Sequence, residues 1–538
     1  MAPRLARRHD RLRLLGGLGR ALEAAAWLVA LLYMLPLALS LALFWPPSGA
    51  PPFSLPWVLA WTAAQAAASA AIAVALGWPL GVLAGFYRLP AARAAVAASL
   101  APFMSPVAAV AVGFRAVYGE GGVLSEALPG LRVLAEGWTG VLALHSYFNI
   151  GLAAAMTAAA AGSTEASVVE HTRLLGLRGP RLWLRVLLPL TRRAAVYAWG
   201  AAFLYSFTSA APLLVKGAAY RYYTLEAWLY ILYRGFPGLV GLVPLLALAE
   251  LALAALAAWL LLRVSRGLVS SPLAARGETA LELRGAQKLL ALAYAAVLLG
   301  YLYAPAAGLA LQALSADPGR LLAYAERGPG LAGAVANSLL YAAASTLLAL
   351  ALGLTAAEGG LAVATLSLIA VAPVAYGVAA SLAYYRPLAS LLGGDTASRL
   401  LILLAHTAAG LPLASRVMAE AWARLQREVG DTMLLLGLRG ARLLRHLLAA
   451  TAPHTVLAAG LATAASLGEF GASIVVSVPD TWSLTVLVYN MLGSGRLFHE
   501  ACLAALILEA MSLAAVGLAA TAAKYVAQAR TLMYVRER

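Results

Sequence analysis

Residues 170–179 read Glu-His-Thr-Arg-Leu-Leu-Gly-Leu-Arg-Gly, and residues 431–440 read Asp-Thr-Met-Leu-Leu-Leu-Gly-Leu-Arg-Gly. Both stretches are polar and basic, and long apolar segments flank each of them. Their central glycines, Gly176 and Gly437, are 261 positions apart (437 − 176), which is close to half of the 538-residue chain. A repeat of this length predicts one structural unit duplicated in tandem, so that whatever this loop does is done twice.

The composition is that of a membrane protein. Hydrophobic residues make up 62% of the chain, charged residues make up 12%, and the mean hydropathy is +0.83. A soluble core of this length could not bury so much apolar surface. The net charge of +16 raises nucleic-acid binding as an alternative, but the aromatic residues do not alternate with the basic runs as they do on a single-strand-binding surface. We therefore expect a lipid bilayer and no nucleic acid among the partners.

The cysteine count excludes two kinds of site, and the length of the N-terminal apolar segment favours a membrane span over a signal peptide. Cys502 is the only cysteine, so an intrachain disulfide and a Cys-rich metal site are both excluded. A basic stretch at 4–20 precedes an apolar segment at 21–44, which is longer than the core of about 7–15 residues in a signal peptide. We expect this segment to be a retained first span, with cleavage as the alternative.

Apolar segments long enough to cross a bilayer recur along the chain. A spanning helix takes about 20 residues, and unalternating runs of this length are helical, so the predicted fold class is all-α and polytopic. With about 12 such helices, the sequence predicts two tandem six-helix domains at 1–262 and 289–538, joined by a polar cytoplasmic linker at 263–288. The predicted spans are 21–44, 57–86, 94–118, 138–160, 194–215, 239–262, 289–311, 334–354, 361–384, 400–421, 453–476 and 498–520.

The distribution of charge predicts the orientation. Six spans in each half give both halves the same direction, so the two special loops, near 162–193 and 422–452, face one side. Lys and Arg concentrate on that side, in both loops, the turn at 88–93, the linker and the two ends, whereas opposite loops carry acids such as Glu120 and Glu126. By the positive-inside rule, both termini are cytoplasmic and the protein is a multi-pass protein of the cell (plasma) membrane.

The spacing within the repeated loop predicts a surface for a partner. In the first copy, Glu170 is followed by Gly176 six positions later, and a Leu-Pro pair ends at Pro189. A glycine between two short helices permits a sharp turn, which predicts a helix-turn-helix on the membrane surface. The alternative is an ordinary basic loop, and the second copy argues against it. The predicted contact residues are Glu170, Leu175, Gly176, Arg178 and Pro189 in the first loop and Asp431, Leu436, Gly437 and Arg439 in the second.

With this Glu…Gly…Leu-Pro spacing, the chain resembles the permease subunits of type I ABC importers, which work with an extracytoplasmic solute-binding protein. The resemblance covers nearly the whole chain, as two fused permease halves. It implies that each loop forms coupling helices that dock on an ATPase, so that the partners are two ABC ATPase subunits and the binding protein. The first copy departs from the family's Glu-Ala-Ala by reading Glu-His-Thr, and the second begins with Asp431 and has Ala450 in place of Pro189. The second loop is therefore expected to dock less conventionally.

The sequence itself offers no nucleotide site. A P-loop requires Gly-Lys-Ser/Thr, but the only lysines, Lys216, Lys288 and Lys524, are followed by Gly, Leu and Tyr. We expect no catalytic residue, no metal site and no cofactor in this chain, with ATP and Mg²⁺ bound by the partner ATPase.

Polar residues within the apolar segments are candidates for a translocation pathway, because polar groups in lipid are costly and mostly face an interior or aqueous path. Residues 144–149 (Leu-His-Ser-Tyr-Phe-Asn), 206–209 and 466–471 resemble segments of fused permeases for ferric iron and for thiamine. For each histidine and for the glutamate, a structural hydrogen bond is the alternative. The predicted pathway residues are His145, Asn149, His406, Ser206, Thr208 and Glu469, of which the two histidines are also 261 positions apart (406 − 145).

Three classes of function remain to be compared. The preferred one is an ABC importer permease, for which the resemblance implies ferric iron or thiamine as solute, although no residue decides between them. The alternative is an ion-coupled secondary carrier, which needs a relay of intramembrane acids, and the spans have only scattered ones such as Glu250, Glu469 and Glu509. A membrane-embedded enzyme lacks support, because neither a His-Glu-x-x-His pattern nor a Gly-x-Ser-x-Gly elbow is present.

Overall fold

The chain is predominantly helical in the part that the structure, a computed structural model, describes. The described residues are 17–164, 168, 171, 176–177, 179–209, 222–264, 281–353, 368, 371–435, 440–493 and 495–536. Among these residues there is no β-strand, and extended pairing is limited to one bridge between Tyr87 and Leu281. The predicted all-α class is confirmed.

The helices up to the linker are α1 (Gly17–Leu43), α2 (Leu55–Phe86), α3 (Pro90–Ser99), α4 (Ala101–Met104), α5 (Val107–Tyr118), α6 (Gly137–Gly162), α7 (Gly179–Leu182), α8 (Leu188–Phe207), α9 (Leu225–Gly235) and α10 (Leu242–Val264). After the linker come α11 (Ala286–Ala313), α12 (Pro318–Ala325), α13 (Gly330–Gly353), α14 (Pro373–Ala380), α15 (Arg386–Leu392), α16 (Gly394–Leu435), α17 (Gly440–Gly468), α18 (Ser473–Val476), α19 (Leu484–Gly493) and α20 (Phe498–Arg536). Short π-helical turns cover Trp183–Leu187 and Ser381–Tyr385.

Nine of the described helices are long and apolar enough to cross a membrane, namely α1, α2, α6, α10, α11, α13, α16, α17 and α20. The segment Pro90–Met104 would form a tenth span together with α5, but the two are bent by 107°. The sequence predicted one span over 94–118. The structure breaks it at Ser105, whose backbone is extended, because the following Pro106 disfavours a helical conformation at the residue before it. The chain is thus an all-α polytopic membrane protein.

The first helix of each part of the chain packs against the other part. α1 makes its most extensive contacts with α14, and α11 makes its most extensive contacts with α5. The helices α9 and α10 also contact α14, while α19 and α20 contact α5. Both parts therefore contribute to one continuous hydrophobic core, which runs from Ala26 in α1 to Leu508 in α20.

The same hydrogen bond attaches a short helix to a long one in both parts. The backbone N–H of Leu225, at the start of α9, donates to Thr62 Oγ1 in α2 at 3.0 Å. The backbone N–H of Leu484, at the start of α19, donates to Ser338 Oγ in α13 at 2.8 Å. The first N–H groups of a helix have no partner within it, so these hydroxyls satisfy groups that would otherwise be exposed to an apolar interior.

Glycines bring α2 and α6 into direct backbone contact. Gly77, Gly81 and Gly85 recur at every fourth position of α2 and lie on the face toward α6. A Cβ atom at Gly81 would lie 2.5 Å from the carbonyl oxygen of Ala154 and 2.6 Å from Thr157 Cβ. Small residues at this spacing allow close helix packing, which stabilises helix pairs in lipid through van der Waals contact. The two helices therefore form a tightly packed pair.

The packing of α1 against α14 depends on Tyr33. The ring of Tyr33 stacks on that of Tyr376 in α14, with centroids 4.2 Å apart, and both side chains are buried. Tyr33→Ala should lower the free energy of unfolding in detergent by about 3 kcal/mol, because it removes a buried ring and leaves a cavity. Trp27→Ala, on the same helix but 45% exposed, is the control. An equal loss of stability in the two variants would contradict the packing of α1 through Tyr33.

Candidate functional site

A cavity of about 300 Å³ lies between the two parts of the chain. Its wall is formed by side chains from α1, α4, α5, α6 and α8 on one side and from α16, α17 and the start of α14 on the other. The wall residues His145, Asn149, Ser206, Thr208 and Glu469 are five of the six residues that the sequence predicted for a pathway. The structure thus brings polar residues from distant parts of the sequence to one internal space.

His145 and Asn149 lie one turn apart on α6 and are both buried. The Nδ1 atom of His145 is 2.7 Å from Gln65 Oε1, and Gln65 Nε2 donates to the carbonyl oxygen of Ser206 at 3.0 Å. Because Gln65 Oε1 can only accept, this arrangement places the proton of His145 on Nδ1. Asn149 Nδ2 donates to the carbonyl oxygen of His145 at 2.9 Å, and its Oδ1 has no hydrogen-bond partner among the described residues. Asn149 therefore brings a buried acceptor to the cavity wall.

Ser206 and Thr208 lie at the end of α8. The Ser206 hydroxyl is buried and has no hydrogen-bond partner among the described residues. Thr208 Oγ1 donates to the carbonyl oxygen of Leu204 at 3.0 Å. A buried polar atom without a protein partner carries a desolvation cost, so Ser206 adds a second group that a bound molecule or water would satisfy.

Glu469 lies in the break between α17, which ends at Gly468, and α18, which begins at Ser473. One carboxylate oxygen accepts from the backbone N–H of Ala472 at 2.8 Å. The other accepts from the backbone N–H of Ser473 at 3.2 Å and from Ser473 Oγ at 2.5 Å. The carboxylate thus pairs the first N–H groups of α18, where a negative charge is favourable. Gly468 and Gly471 flank this break in the helix.

His406 does not belong to the cavity wall but lies behind Glu469. Its Nε2 is 3.5 Å from a carboxylate oxygen of Glu469 and 3.0 Å from Ser473 Oγ, and its Nδ1 is 2.7 Å from Ser466 Oγ. Its ring packs edge-on against Tyr341, with centroids 5.5 Å apart. The two histidines that the repeat relates therefore have different surroundings, and His406 contacts the wall residue Glu469.

Sequence reasoning missed the aromatic part of the wall, which consists of Tyr33, Phe103, Phe148 and Tyr205. Phe148 could have been found, because it lies one helical turn after His145. Tyr33 could not, since nothing in an almost uniformly apolar helix indicates that it crosses to the other part of the chain.

The repeated loops are described only in part. Glu170, Leu175, Arg178, Leu436, Gly437 and Arg439 lie outside the described residues, and the backbone at Asp431 belongs to α16. Pro189 lies in the first turn of α8. Gly176 has a φ of 75°, Gly179 a φ of 54° and Gly440 a φ of 57°. Gly179 and Gly440 are again 261 positions apart, and each begins a helix, α7 or α17, so the two loops share a left-handed glycine that the sequence reasoning did not single out.

No group of three or more His, Cys, Asp and Glu side chains among the described residues could hold a metal ion. No protein-family model, curated protein or solved structure matches this chain.

Proposed function

We propose that this chain is the permease subunit of a type I ABC importer, with two tandem six-helix domains at 1–262 and 289–538. The observation that carries the proposal is the repeated loop. Its glycines Gly179 and Gly440 adopt the same left-handed conformation, and each precedes a helix that leads to the cavity wall. In this proposal each loop docks on one ABC ATPase, ATP and Mg²⁺ stay on that partner, and both termini lie on the cytoplasmic side of the plasma membrane.

The cavity is the proposed translocation pathway. Both parts of the chain contribute to its wall, and the first helix of each part packs on the other. Such an arrangement supports a mechanism in which ATP-driven approach of two ATPases moves the parts against each other around a central site. An extracytoplasmic binding protein would deliver the solute to the opposite side.

The chemistry of the wall favours a cationic solute. Glu469 contributes a carboxylate, Asn149 an acceptor oxygen and the four aromatic residues their rings, while no Lys or Arg occurs among the described wall residues. Ring faces and acceptors bind cations, whereas a buried anion would meet no positive partner. Thiamine, an organic cation, and ferric iron are the proposed solutes. The aromatic residues of the wall favour thiamine over ferric iron, since the described residues provide no metal-ligand cluster.

An ion-coupled secondary carrier is the second candidate, and one observation favours it. Glu250 in α10 is buried, and neither of its carboxyl oxygens has a hydrogen-bond partner among the described residues. Glu509 in α20 is also buried and accepts from Ser105, a residue of the cavity wall, at 2.5 Å. Buried acids of this kind serve proton relays in carriers. Uptake that stops with an uncoupler while ATP stays high would favour the carrier.

The proposal is tested by capture of an ABC ATPase subunit from the same organism on the tagged chain in detergent. The native chain should bind about two ATPases, one for each loop. Gly176→Val should weaken binding at the first loop, because a β-branched residue is strongly disfavoured at its positive φ. The Gly176→Val, Gly437→Val double variant should lose both ATPases. Gly300→Val, at a position open to added atoms, is the control, and absence of ATPase on the native chain would contradict the proposal.

A further inference from the structure

An aromatic cluster fixes the C-terminal part of the first loop to the end of α2. Trp183, in the π-helical turn after α7, packs edge-on against Trp78, with ring centroids 5.6 Å apart, and stacks on Tyr87, with ring centroids 6.2 Å apart. Its Nε1 donates to Tyr87 Oη at 3.0 Å, and Trp78 Nε1 donates to Thr191 Oγ1 at 2.8 Å. Hydrogen bonds therefore connect α2 and its end both to the π-helical turn and to α8, which follows it.

From this cluster, α2 leads to the cavity without interruption. Trp78 and Gln65 lie on the same helix, thirteen residues apart, which corresponds to about 20 Å at the usual rise per residue. Gln65 holds His145 through Nδ1 and the end of α8 through the carbonyl oxygen of Ser206. Pro79, the proline inside α2, follows Trp78 directly and removes one backbone hydrogen bond, to the carbonyl oxygen of Ala75, but the helix continues through this point. The glycine contacts with α6 further couple the two helices, so a displacement at Trp183 would reach the cavity wall.

Among the described residues, the second loop has no corresponding aromatic contact to a long helix of its own half. The residue that the repeat places opposite Trp183 is Leu444 (444 − 183 = 261). Leu444 packs instead in a separate small cluster formed by Leu443, Leu447, Trp422 and Leu425. Trp422 belongs to α16, the helix that also carries His406 sixteen residues earlier. Pro412 lies between them, and a proline inside a helix removes a backbone hydrogen bond and permits bending there.

We propose that the two loops act on the cavity through different helices. The first loop acts through Trp183 and α2 and positions Gln65 and His145. The second acts through Trp422 and α16 and positions His406, and thereby Glu469. Trp183 and Trp422 are accordingly positioning residues, and the two ATPase sites are mechanically distinct. This inference rests on the proposed function, since it presumes that an ATPase docks on each loop.

The test uses a reporter thiol in each part of the cavity wall of the full chain. Phe148→Cys reports on α6, and Ala409→Cys reports on α16. The natural Cys502 is buried and provides little background. The rate of maleimide labelling at each thiol is measured in proteoliposomes that contain the ATPase, with and without Mg-ATP. In the native background, ATP should change both rates.

Trp183→Ala should reduce the ATP-dependent change at Phe148→Cys about tenfold and leave that at Ala409→Cys in place, and Trp422→Ala should do the reverse. Trp183→Phe, which keeps a ring, should retain most of the response, and Leu184→Ala, in the same turn but 64% exposed, should retain all of it. ATPase binding is measured in parallel for every variant. If either tryptophan variant lost both ATP-dependent responses, or kept both, the inference would be wrong, whereas the permease proposal would still stand. A native chain that binds no ATPase would overturn both.

Discussion

Glu469→Ala should stop uptake and lower the free energy of unfolding by about 3 kcal/mol. The carboxylate pairs the backbone N–H groups of Ala472 and Ser473, and each buried N–H left without a partner costs about 1–3 kcal/mol. The same substitution removes the one carboxylate among the described wall residues. A cation that enters the cavity would then meet only neutral groups. Thermal unfolding in detergent and uptake of labelled thiamine into proteoliposomes with ATPase and binding protein measure the two effects.

Two further variants separate structure from transport. Glu469→Gln keeps one acceptor oxygen near the start of α18, but its NH2 group replaces the oxygen that accepts hydrogen bonds from the N–H and Oγ of Ser473. This variant should therefore lose less stability than the alanine variant. It loses the negative charge all the same. Glu120→Ala, an exposed acid at the end of the α5 segment, is the control and should leave both measurements unchanged. Full uptake by a stable Glu469→Gln variant would contradict a role of the charge in passage.

Gly81→Ala should disrupt the α2–α6 pair. The added Cβ would lie 2.5 Å from a backbone oxygen of Ala154, and a backbone atom in a packed helix cannot move aside as a flexible side chain can. Overpacking of this kind costs about 1–3 kcal/mol, and separation of the helices would also displace His145 from Gln65. Both the unfolding midpoint and uptake should fall.

The matched control is Gly300→Ala, which is also a glycine inside a long apolar helix. A Cβ there meets no atom within 4 Å, and alanine has the higher helix propensity by about 1 kcal/mol. Its unfolding midpoint should stay the same or rise. Similar midpoints for the two variants would show that α2 and α6 do not depend on this contact.

The sequence allowed the all-α membrane-spanning class to be predicted, because long apolar runs without alternation form helices in lipid. Polar residues are rare enough within such runs to mark those that lie at the cavity wall. The bend before Pro106 was missed, although the proline itself was the signal, since length and hydropathy alone do not distinguish a bent segment from a straight span. Helical spacing placed His145 and Asn149 on one face, and the structure brings that face to the cavity.

The sequence did not show which faces of the helices pack against one another. In a water-soluble helix the apolar stripe shows which side is buried, but a helix in lipid is apolar on every side, so the sequence of α1 does not show that Tyr33 meets Tyr376. The distance of His406 from the cavity could not be predicted from the sequence either. Its position 261 residues after His145 predicted an equivalent place at the cavity, whereas the local partners Ser466 and Ser473 hold it one layer behind.

The packing of α1 on α14, a helix far later in the chain, has a consequence for biosynthesis. Tyr33 leaves the ribosome 343 residues before its stacking partner Tyr376, and at about 5–20 residues per second this delay amounts to roughly 20–70 s. During this time α1 lacks the surface on which it finally packs. Contacts between residues so distant in sequence also form slowly because the intervening chain must be closed into a loop. Insertion of the spans and completion of the shared core are therefore separate events, and the cavity between the two parts can assemble only after the later helices have entered the membrane.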